Sequence, residues 1–273
     1  MEKCKCDLCK FENPKFTATA IIIKNQKLLV GRRSQKGKSF YRKWDFFGGY
    51  LQKNESPEEG LKREIKEELG VECDFTYLGS FSGTDEYAGY RFPITTLAYL
   101  TELKGELKLN REENSQIDWK PLESFTDIAF DSNQKILKFI KEKFVVNWKD
   151  VVRLVDQLDP TSTVTEQSFY RAMFNGYVSK IEERGRLLGM GWIFPRQTIL
   201  RHQAIIEDMI VDESQRGKGL GEKILKDLIR WAKRQKIEVI ELTTNPKREA
   251  ANSLYKKVGF KLHETNHYLL NLR

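Results

Sequence analysis

Two clusters of residues in this chain have types and spacing suited to chemistry. The first is a run of acids, Glu64, Glu67 and Glu68. At about 100° per residue they share one arc of a helix, with Leu61, Ile65 and Leu69 on the adjacent arc. Clustered carboxylates repel one another unless a positive charge holds them together. An all-oxygen ligand set selects a hard cation, Mg²⁺ or Mn²⁺, that keeps waters and reaches out to phosphates. Taken alone, the same stretch is also an ordinary solvated helix, with Glu58–Lys62 and Glu59–Arg63 as i,i+4 pairs. The second cluster is Gln215-Arg216-Gly217-Lys218-Gly219-Leu220-Gly221. Its glycines allow close backbone approach, and a helix N-terminus after it aims N–H groups at an anion. It is not a Walker loop, because Gly219 and not Ser or Thr follows Lys218. Nor is it a dinucleotide fingerprint, because the third glycine comes one residue too soon.

Each cluster needs elements to hold it. Ser56 with Glu59 forms a capping box, Pro57 sits at the first helical position, and Gly70 supplies the stop, so the acids lie on a well-bounded helix. Upstream, residues 17–30 form two strand-like runs around a Lys24-Asn25 turn, followed by Arg32-Arg33, where an anionic substrate could be met. Trp44 to Phe47 leads as a strand into Gly48-Gly49. Residues 117–122 read as a late strand and Asp131–Lys143 as a closing helix. In the second half, the strand-like run 204–211 leads into the glycine loop. A helix with Leu220, Ile224, Leu225, Leu228 and Ile229 on one side follows it. Residues 239–243 read as another strand.

The chain has 273 residues, enough for two domains of ordinary size. Charge divides unevenly: residues 1–146 carry 25 Lys+Arg against 23 Asp+Glu, and residues 147–273 carry 22 against 16. No Pro/Gly/Ser-rich linker, internal repeat or low-complexity tract appears. The expected division is therefore 1–146 and 147–273, with a tight junction in residues 144–150.

From Gly49, five residues lead to Glu55 and seven more to Arg63-Glu64-Ile65. One residue then precedes Glu67-Glu68, and one more precedes Gly70-Val71. This spacing resembles the signature of the Nudix hydrolase family at every fixed position. The resemblance implies an α/β/α sandwich that hydrolyses a nucleoside diphosphate linked to another moiety. By it, Glu64, Glu67 and Glu68 are metal ligands, Arg63 and Glu55 the ion pair that holds loop to helix, and the Gly49 carbonyl faces a metal. Divalent ions acidify the attacking water and neutralise the bridging oxygens. Glu64 or Glu113 then takes the water's proton, and Glu68 completes the catalytic acids. The sequence departs from the family at Phe47, where a proline is usual.

Markers for the nucleotide are fewer. Tyr87, sixteen residues past Val71, stands where dinucleoside-polyphosphate hydrolases carry a base-stacking tyrosine. It equally suits packing in a hairpin with Gly89 and Tyr90. Cys6 and Cys9, followed by Asn13-Pro14, resemble the last half of the zinc ribbon that precedes some NADH-pyrophosphatase-like Nudix domains. Cys4 adds a third thiol, but a tetrahedral zinc needs four ligands. Cys73 and the histidines His202, His263 and His267 lie far away in sequence, so unligated thiols are expected and zinc is not favoured. ADP-ribose or NADH-like compounds and dinucleoside polyphosphates remain the substrate candidates.

The spacing Arg216, Gly219, Gly221 resembles the pyrophosphate-binding motif of the GNAT superfamily of N-acetyltransferases. Asn245, Ala251-Asn252-Ser253-Leu254-Tyr255 and Val258-Gly259-Phe260 continue that pattern, well from Leu187 onward and loosely over 148–177. The resemblance implies a mixed-sheet α/β domain, so the whole chain is expected to be α/β (α+β). It also implies acetyl-CoA as cosubstrate. Backbone groups of Met209, Ile210 and Val211 would pair with the pantetheine, and Arg216, Gly217, Lys218, Gly219, Leu220 and Gly221 would cradle the pyrophosphate. Asn252 and Tyr255 share one helix face; Tyr255 would protonate the departing thiolate and Glu207 take a proton from the amine. Core packing for Tyr255 and a solvent-facing strand position for Glu207 are the alternatives.

Composition bounds the rest. With no secretory signal, no membrane-length apolar run and no framework of cysteines, a cytoplasmic protein is expected. The basic balance is accounted for by two polyphosphate ligands, so nucleic acid and membrane are not expected as partners. The reading is a bifunctional enzyme whose partners are a nucleotide-diphosphate compound, acetyl-CoA and an unidentified amine. Its alternative is a metabolite-sensing regulator in which the first domain binds nucleotide without turnover and controls the second. Cleavage of CoA itself by the first domain ranks below both, because the extra motif that precedes the box in such enzymes is not evident.

Overall fold

The structure, a computed structural model, describes residues 14–36, 40–87, 90–270 and 272. The thiols of Cys4, Cys6 and Cys9, and Gly89, lie outside the described residues; of Tyr87 only the backbone is described. By contacts the chain divides into two compact units, Met1–Trp148 with Glu166–Phe174, and Lys149–Thr165 with Asn175–Arg273.

The first unit opens with β1 (Lys15–Ile21), β2 (Ile23–Lys24), β3 (Lys27–Arg33), β4 (Trp44–Asp45) and β5 (Phe47–Tyr50). Then come α1 (Pro57–Leu69), a long hairpin of β6 (Glu72–Tyr87) and β7 (Tyr90–Lys104), β8 (Asn114–Pro121) and α2 (Asp131–Lys143). One sheet has the order β5-β1-β7-β6, with β1 parallel to β7 and antiparallel to β5. A second runs β2-β3-β4, with β8 on the other edge of β3. The helices cover separate cores. Leu61, Ile65 and Leu69 of α1 pack with Ala18, Ala20 and Phe47. Ile136, Leu137 and Ile140 of α2 pack with Ile21, Leu28 and Val30. Nearly all of these side chains are fully buried, each Leu, Ile, Val or Phe among them stabilising the fold by about 1.5–3 kcal/mol.

Two further helices, α3 (Trp148–Leu158) and α4 (Glu166–Asn175), follow. The division of contacts differs from a single cut after residue 146 in one segment: most of α4 packs with the first unit. The cause is aromatic. Phe144 meets Phe169, Tyr170 and Phe174 at centroid distances of 6.3, 5.0 and 5.1 Å. Polar bonds then fix the register of α4. The β2–β3 turn uses left-handed backbone at Asn25 and Gln26. Its two N–H groups donate to Glu166 and to the Tyr170 hydroxyl.

In the second unit, β9 (Tyr177–Glu183), β10 (Arg186–Gln197), β11 (His202–Val211) and β12 (Val239–Leu242) form one sheet ordered β12-β11-β10-β9. Helix α5 (Leu220–Arg234) lies between β11 and β12 in the chain, and α6 (Glu249–Val258) follows β12. Ile224, Leu225 and Leu228 of α5 pack on Ile193, Ala204 and Ile206. Gly191 permits this approach, since a Cβ there would stand 2.9 Å from Ile224. Among the described residues, no helix is long and apolar enough to cross a membrane.

Candidate active sites

Helix α1 is bounded as its sequence indicates. The Ser56 hydroxyl accepts from the Glu59 N–H while the Glu59 carboxylate accepts from the Ser56 N–H, and Gly70 closes the helix in the left-handed region at φ 68°. Its acids do not stand alone. Arg63 donates from Nε and Nη2 to both Glu55 oxygens at 2.7 and 3.0 Å, which locks the loop before α1 to the helix. Its Nη1 reaches Glu64 at 2.7 Å and Glu67 at 3.2 Å, and Nη2 also donates to the Tyr50 carbonyl. The Arg63 bonds hold the Glu55 carboxyl down at about 2.

Glu68 is turned inward and 6 % exposed. It accepts from the Gly48 N–H and from Asn114 Nδ2, each at 2.8 Å. Burial nevertheless pushes its carboxyl well above the usual range, against those two bonds, with the charges of Glu64 and Glu113 adding to the effect. Glu64 is shifted upward for the same first reason, opposed by Arg63. Gly48 and Gly49 are required here by space. A Cβ on Gly48 would meet the Ala18 carbonyl oxygen at 2.1 Å, and one on Gly49 would meet Glu64 Oε1 at 2.4 Å.

Gly48, Gly49, Arg63, Glu64, Glu68 and Asn114 line a cleft of about 1370 Å³ that also holds Glu113, Arg33, Asp45 and Asn133, whereas Glu55 and Glu67 are not among its lining residues. Among the described residues, no three Asp, Glu, His or Cys side chains are arranged as a ready metal cage. The reason is visible in the bonding: Arg63 supplies the positive charge for Glu64 and Glu67, while Glu68 is committed to Gly48 and Asn114. The donor set is nonetheless all oxygen, and the side chain that Gly49 lacks leaves its backbone directly against the Glu64 carboxylate. That chemistry fits a hard divalent ion.

Several cleft residues carried no signal in the sequence. Asp45, 7 % exposed, pairs with Arg33 at 2.8 Å and accepts from Asn133 Nδ2 at 2.7 Å. Burial lifts its carboxyl to about 6 despite Arg33. Asn133 Oδ1 is buried without a hydrogen-bond partner, although it belongs to a residue on the cleft wall. Asn114 is equally silent in sequence, being an asparagine that begins a strand far from the acids it supports.

The second unit builds its site mainly from backbone. Parallel pairing of β11 with β12 runs from Gln203↔Val239 to Ile206↔Leu242 and stops there. On the opposite side, Ile210 and Val211 stay paired with Met190 and Gly189. The β12 side of β11 from Glu207 to Val211 therefore lies beyond the parallel ladder. A register shift opposite Gly191 and left-handed backbone at Asp208 (φ 48°) mark the same point.

The glycine loop follows. Gly217 and Gly219 take φ of 78° and 74°, and a Cβ on either would have no neighbour within 4 Å. Gly219 caps α5, whose first-turn N–H groups have no intrahelical partner by construction. Arg216 folds back to the Val211 carbonyl at 3.3 Å and to Glu213 at 3.4 Å, and Lys218 donates to Gln215 at 2.8 Å. The loop hangs from Asp212, 2 % exposed, which the sequence reading missed. Asp212 accepts from the Ser214 hydroxyl and N–H, and pairs with Arg153 at 2.5 Å and Arg186 at 3.1 Å, so its carboxyl stays far below the usual range.

Asn252 spends its amide on the turn before α6, donating to the carbonyls of Asn245 and Arg248 at 3.1 and 3.0 Å. Tyr255, three residues on, is half-buried; burial raises its hydroxyl pKa, Arg248 opposes and Glu207 adds to the rise. Glu207 is itself pushed up by burial and by Asp208. The Glu207 charge thus reaches Tyr255, and both groups are shifted upward, first of all by burial.

A NUDIX domain profile matches residues 14–142, and an acetyltransferase (GNAT) family profile matches residues 142–260. The ADP-ribose pyrophosphatase of Methanocaldococcus jannaschii is 30% identical over 139 residues, covering 49% of this chain and 79% of that protein. Nudix hydrolase 2 of Arabidopsis thaliana is 25% identical over 99 residues, covering 36% of each. Glucosamine 6-phosphate N-acetyltransferase 1 of Oryza sativa subsp. japonica is 28% identical over 120 residues, covering 39% of this chain and 70% of that protein.

Proposed function

Since the chain belongs to the Nudix hydrolases through residues 14–142 and to the GNAT acetyltransferases through residues 142–260, we propose that it is a bifunctional enzyme. The first activity is metal-dependent hydrolysis of a nucleoside diphosphate linked to a second group. The observation that supports it is the lock of Glu55, Arg63 and Glu64 beside Gly49, with Glu68 fixed to Gly48 on the same cleft. Glu64, Glu67 and Glu68, with the Gly49 carbonyl, would hold Mg²⁺ or Mn²⁺. When bound, the ion supplies Lewis acidity at the phosphate oxygens and a more acidic water. The chain's own part is to position and to move protons. Arg63 keeps α1 and the glycine loop in one geometry, and Glu64 or Glu113 accepts the proton of the attacking water.

Substrates of the ADP-ribose or NADH type, or dinucleoside polyphosphates, are the candidates. A relative of the first unit is named an ADP-ribose pyrophosphatase. Arg33 supplies a cation on the cleft wall, and Asn133 Oδ1 a buried acceptor for a substrate N–H or O–H.

The second activity is acetyl transfer from acetyl-CoA to an amine. The pyrophosphate would sit on the amides of residues 216–221, and the pantetheine would add as a strand to the backbone of Met209, Ile210 and Val211 beyond the end of β12 pairing. The amine nitrogen gives one proton to Glu207 and bonds to the thioester carbonyl carbon. The carbon–sulfur bond breaks, and the thiolate takes a proton from Tyr255. Asn252 fixes the turn from which Tyr255 projects.

Incubating the full chain with nucleotide-diphosphate compounds and Mg²⁺ or Mn²⁺, with products identified by mass, tests the first half. Cleavage between phosphorus atoms that stops with EDTA is expected. Tight nucleotide binding by calorimetry with no cleavage would replace this reading with a nucleotide-sensing regulator. Release of free CoA thiol from acetyl-CoA in the presence of amines tests the second half.

A further inference from the structure

The acetyl-transfer reading leaves the amine unnamed, and one face of the second sheet carries the chemistry to name its class. Alternation along β10 places Ile193 on the α5 side, in the core, and Trp192 and Phe194 on the opposite side. Their rings stack with centroids 4.8 Å apart and planes inclined by 26°. Both remain half-buried, as does Ile205, the cross-strand partner of Phe194. Trp192 lies directly opposite Glu207 in the β10–β11 register. A directly opposed pair on one sheet face has Cβ atoms about 5 Å apart. The proposed base and a two-ring apolar platform therefore share one patch.

The platform packs closely against backbone. Gly176 permits the indole to lie against the backbone, since a Cβ there would stand 2.7 Å from Trp192 Nε1. Its charge surroundings are one-sided. The charged groups that act on Glu207 are Asp208 and His267, with no lysine or arginine among them. Among the described residues, Arg196 of β10 and Arg201 just before β11 meet Glu241 at 3.4 and 3.8 Å, and Lys180 of β9 meets Glu182. In a chain of net charge +8, this patch combines half-buried aromatic surface with an acid that no Lys or Arg pairs.

We propose that this face is the acceptor subsite and selects a cationic primary amine that carries no anionic group. The hydrocarbon body of the amine rests on Trp192 and Phe194, and its ammonium faces Glu207; one proton leaves to solvent to free the lone pair, and the neutral amine gives the next to Glu207 as it attacks. An amine bearing a carboxylate or phosphate would bring that charge to Glu207 and Asp208, and the charged groups acting on Glu207 include no arginine or lysine to offset it. The proposal depends on the acetyl-transfer reading, and its test keeps the two apart.

The full chain is assayed with acetyl-CoA against 2-phenylethylamine and 1,4-diaminobutane on one side, and glucosamine 6-phosphate and glycine on the other. The cationic pair should be acetylated with kcat/KM about tenfold or more above the anionic pair. Phe194→Ala should raise KM for 2-phenylethylamine about tenfold, with kcat and the KM for acetyl-CoA nearly unchanged, and Phe194→Trp should restore it. The unchanged acetyl-CoA KM shows that the variant is folded. A preference for the anionic amines, or an amine KM untouched by Phe194→Ala, overturns the proposal. If no amine in the panel is acetylated while calorimetry still finds CoA bound, the cationic-amine subsite is refuted and the coenzyme site stands. Absence of CoA binding refutes the acetyl-transfer reading itself.

Discussion

The two candidate sites solve opposite electrostatic problems with opposite materials. In the first unit the charges belong to side chains, and an uncompensated cluster of acids beside a core would destabilise the fold. The acids of α1 and the loop before it are accordingly engaged: Glu55, Glu64 and Glu67 by Arg63, and Glu68 by Gly48 and Asn114. In the second unit the partial charges belong to backbone amides at the start of α5, which solvent can satisfy. That loop stays open, with two left-handed glycines and nothing near where their side chains would be. A side-chain site has to be bonded before any ligand arrives, whereas a backbone site needs only an anchor, here Asp212. The first should therefore respond sharply to single substitutions within it, and the second more gradually.

The largest expected effect is on hydrolysis. Glu64→Gln should lower kcat by about 10²–10⁴-fold if it is the base, and Glu113→Gln by far less, with the order reversed if Glu113 holds that role. Steady-state rates in Mg²⁺ decide between them, and an undiminished rate in both would remove the proton-transfer role from this cluster. Next in size, Tyr255→Phe should reduce acetyl-transfer kcat about 10²-fold while leaving the acetyl-CoA KM near its starting value. A KM effect alone would mean the ring only packs.

Smaller effects concern stability. The Asp45 carboxyl titrates near 6 in the fold against 3.8 ordinarily, so the folded state binds this proton more tightly. The resulting stabilisation is complete below about pH 3.8 and lost as pH rises through about 6. Asp45→Asn should remove that slope, on the order of 2–3 kcal/mol, in urea melts between pH 4 and 6.5. An identical slope in the variant would show that the Asp45 carboxyl does not titrate there. Smallest of all, Gly219→Ala should cost about 1 kcal/mol, from its left-handed backbone alone. Gly49→Ala should cost more than that and should also impair hydrolysis, because the new methyl must displace Glu64. Equal penalties at the two glycines would erase the proposed contrast.

What could be read in advance follows from where the information lies along the chain. The helix α1 with its caps, the arc of Glu64, Glu67 and Glu68, and the Glu55–Arg63 partnership involve residues within sixteen positions of one another. Local spacing is enough to specify them. The same holds for Arg216 to Gly221 at the start of α5, where the glycines report their own backbone needs. Three things were not readable. Asn114 supports Glu68 from 46 residues away, and Arg153 supports Asp212 from 59 residues away. Each looked like any other polar residue until pairing of β3 with β8, or packing of α3, brought it near. The inward turn of Glu68 was equally hidden, since helical periodicity fixes the arc of a side chain but not its partner. So was α4, whose aromatic residues follow the expected boundary in sequence yet pack with the first unit, where Phe144 offers them apolar contact. The sequence by itself determined the two families, the carriers of chemistry and the elements that bear them, because these depend on short-range periodicity and capping. Only the tertiary structure decided which distant residues neutralise, orient or bury those carriers. Burial and compensation of charge depend on neighbours in space, and the order of residues does not state who those neighbours are.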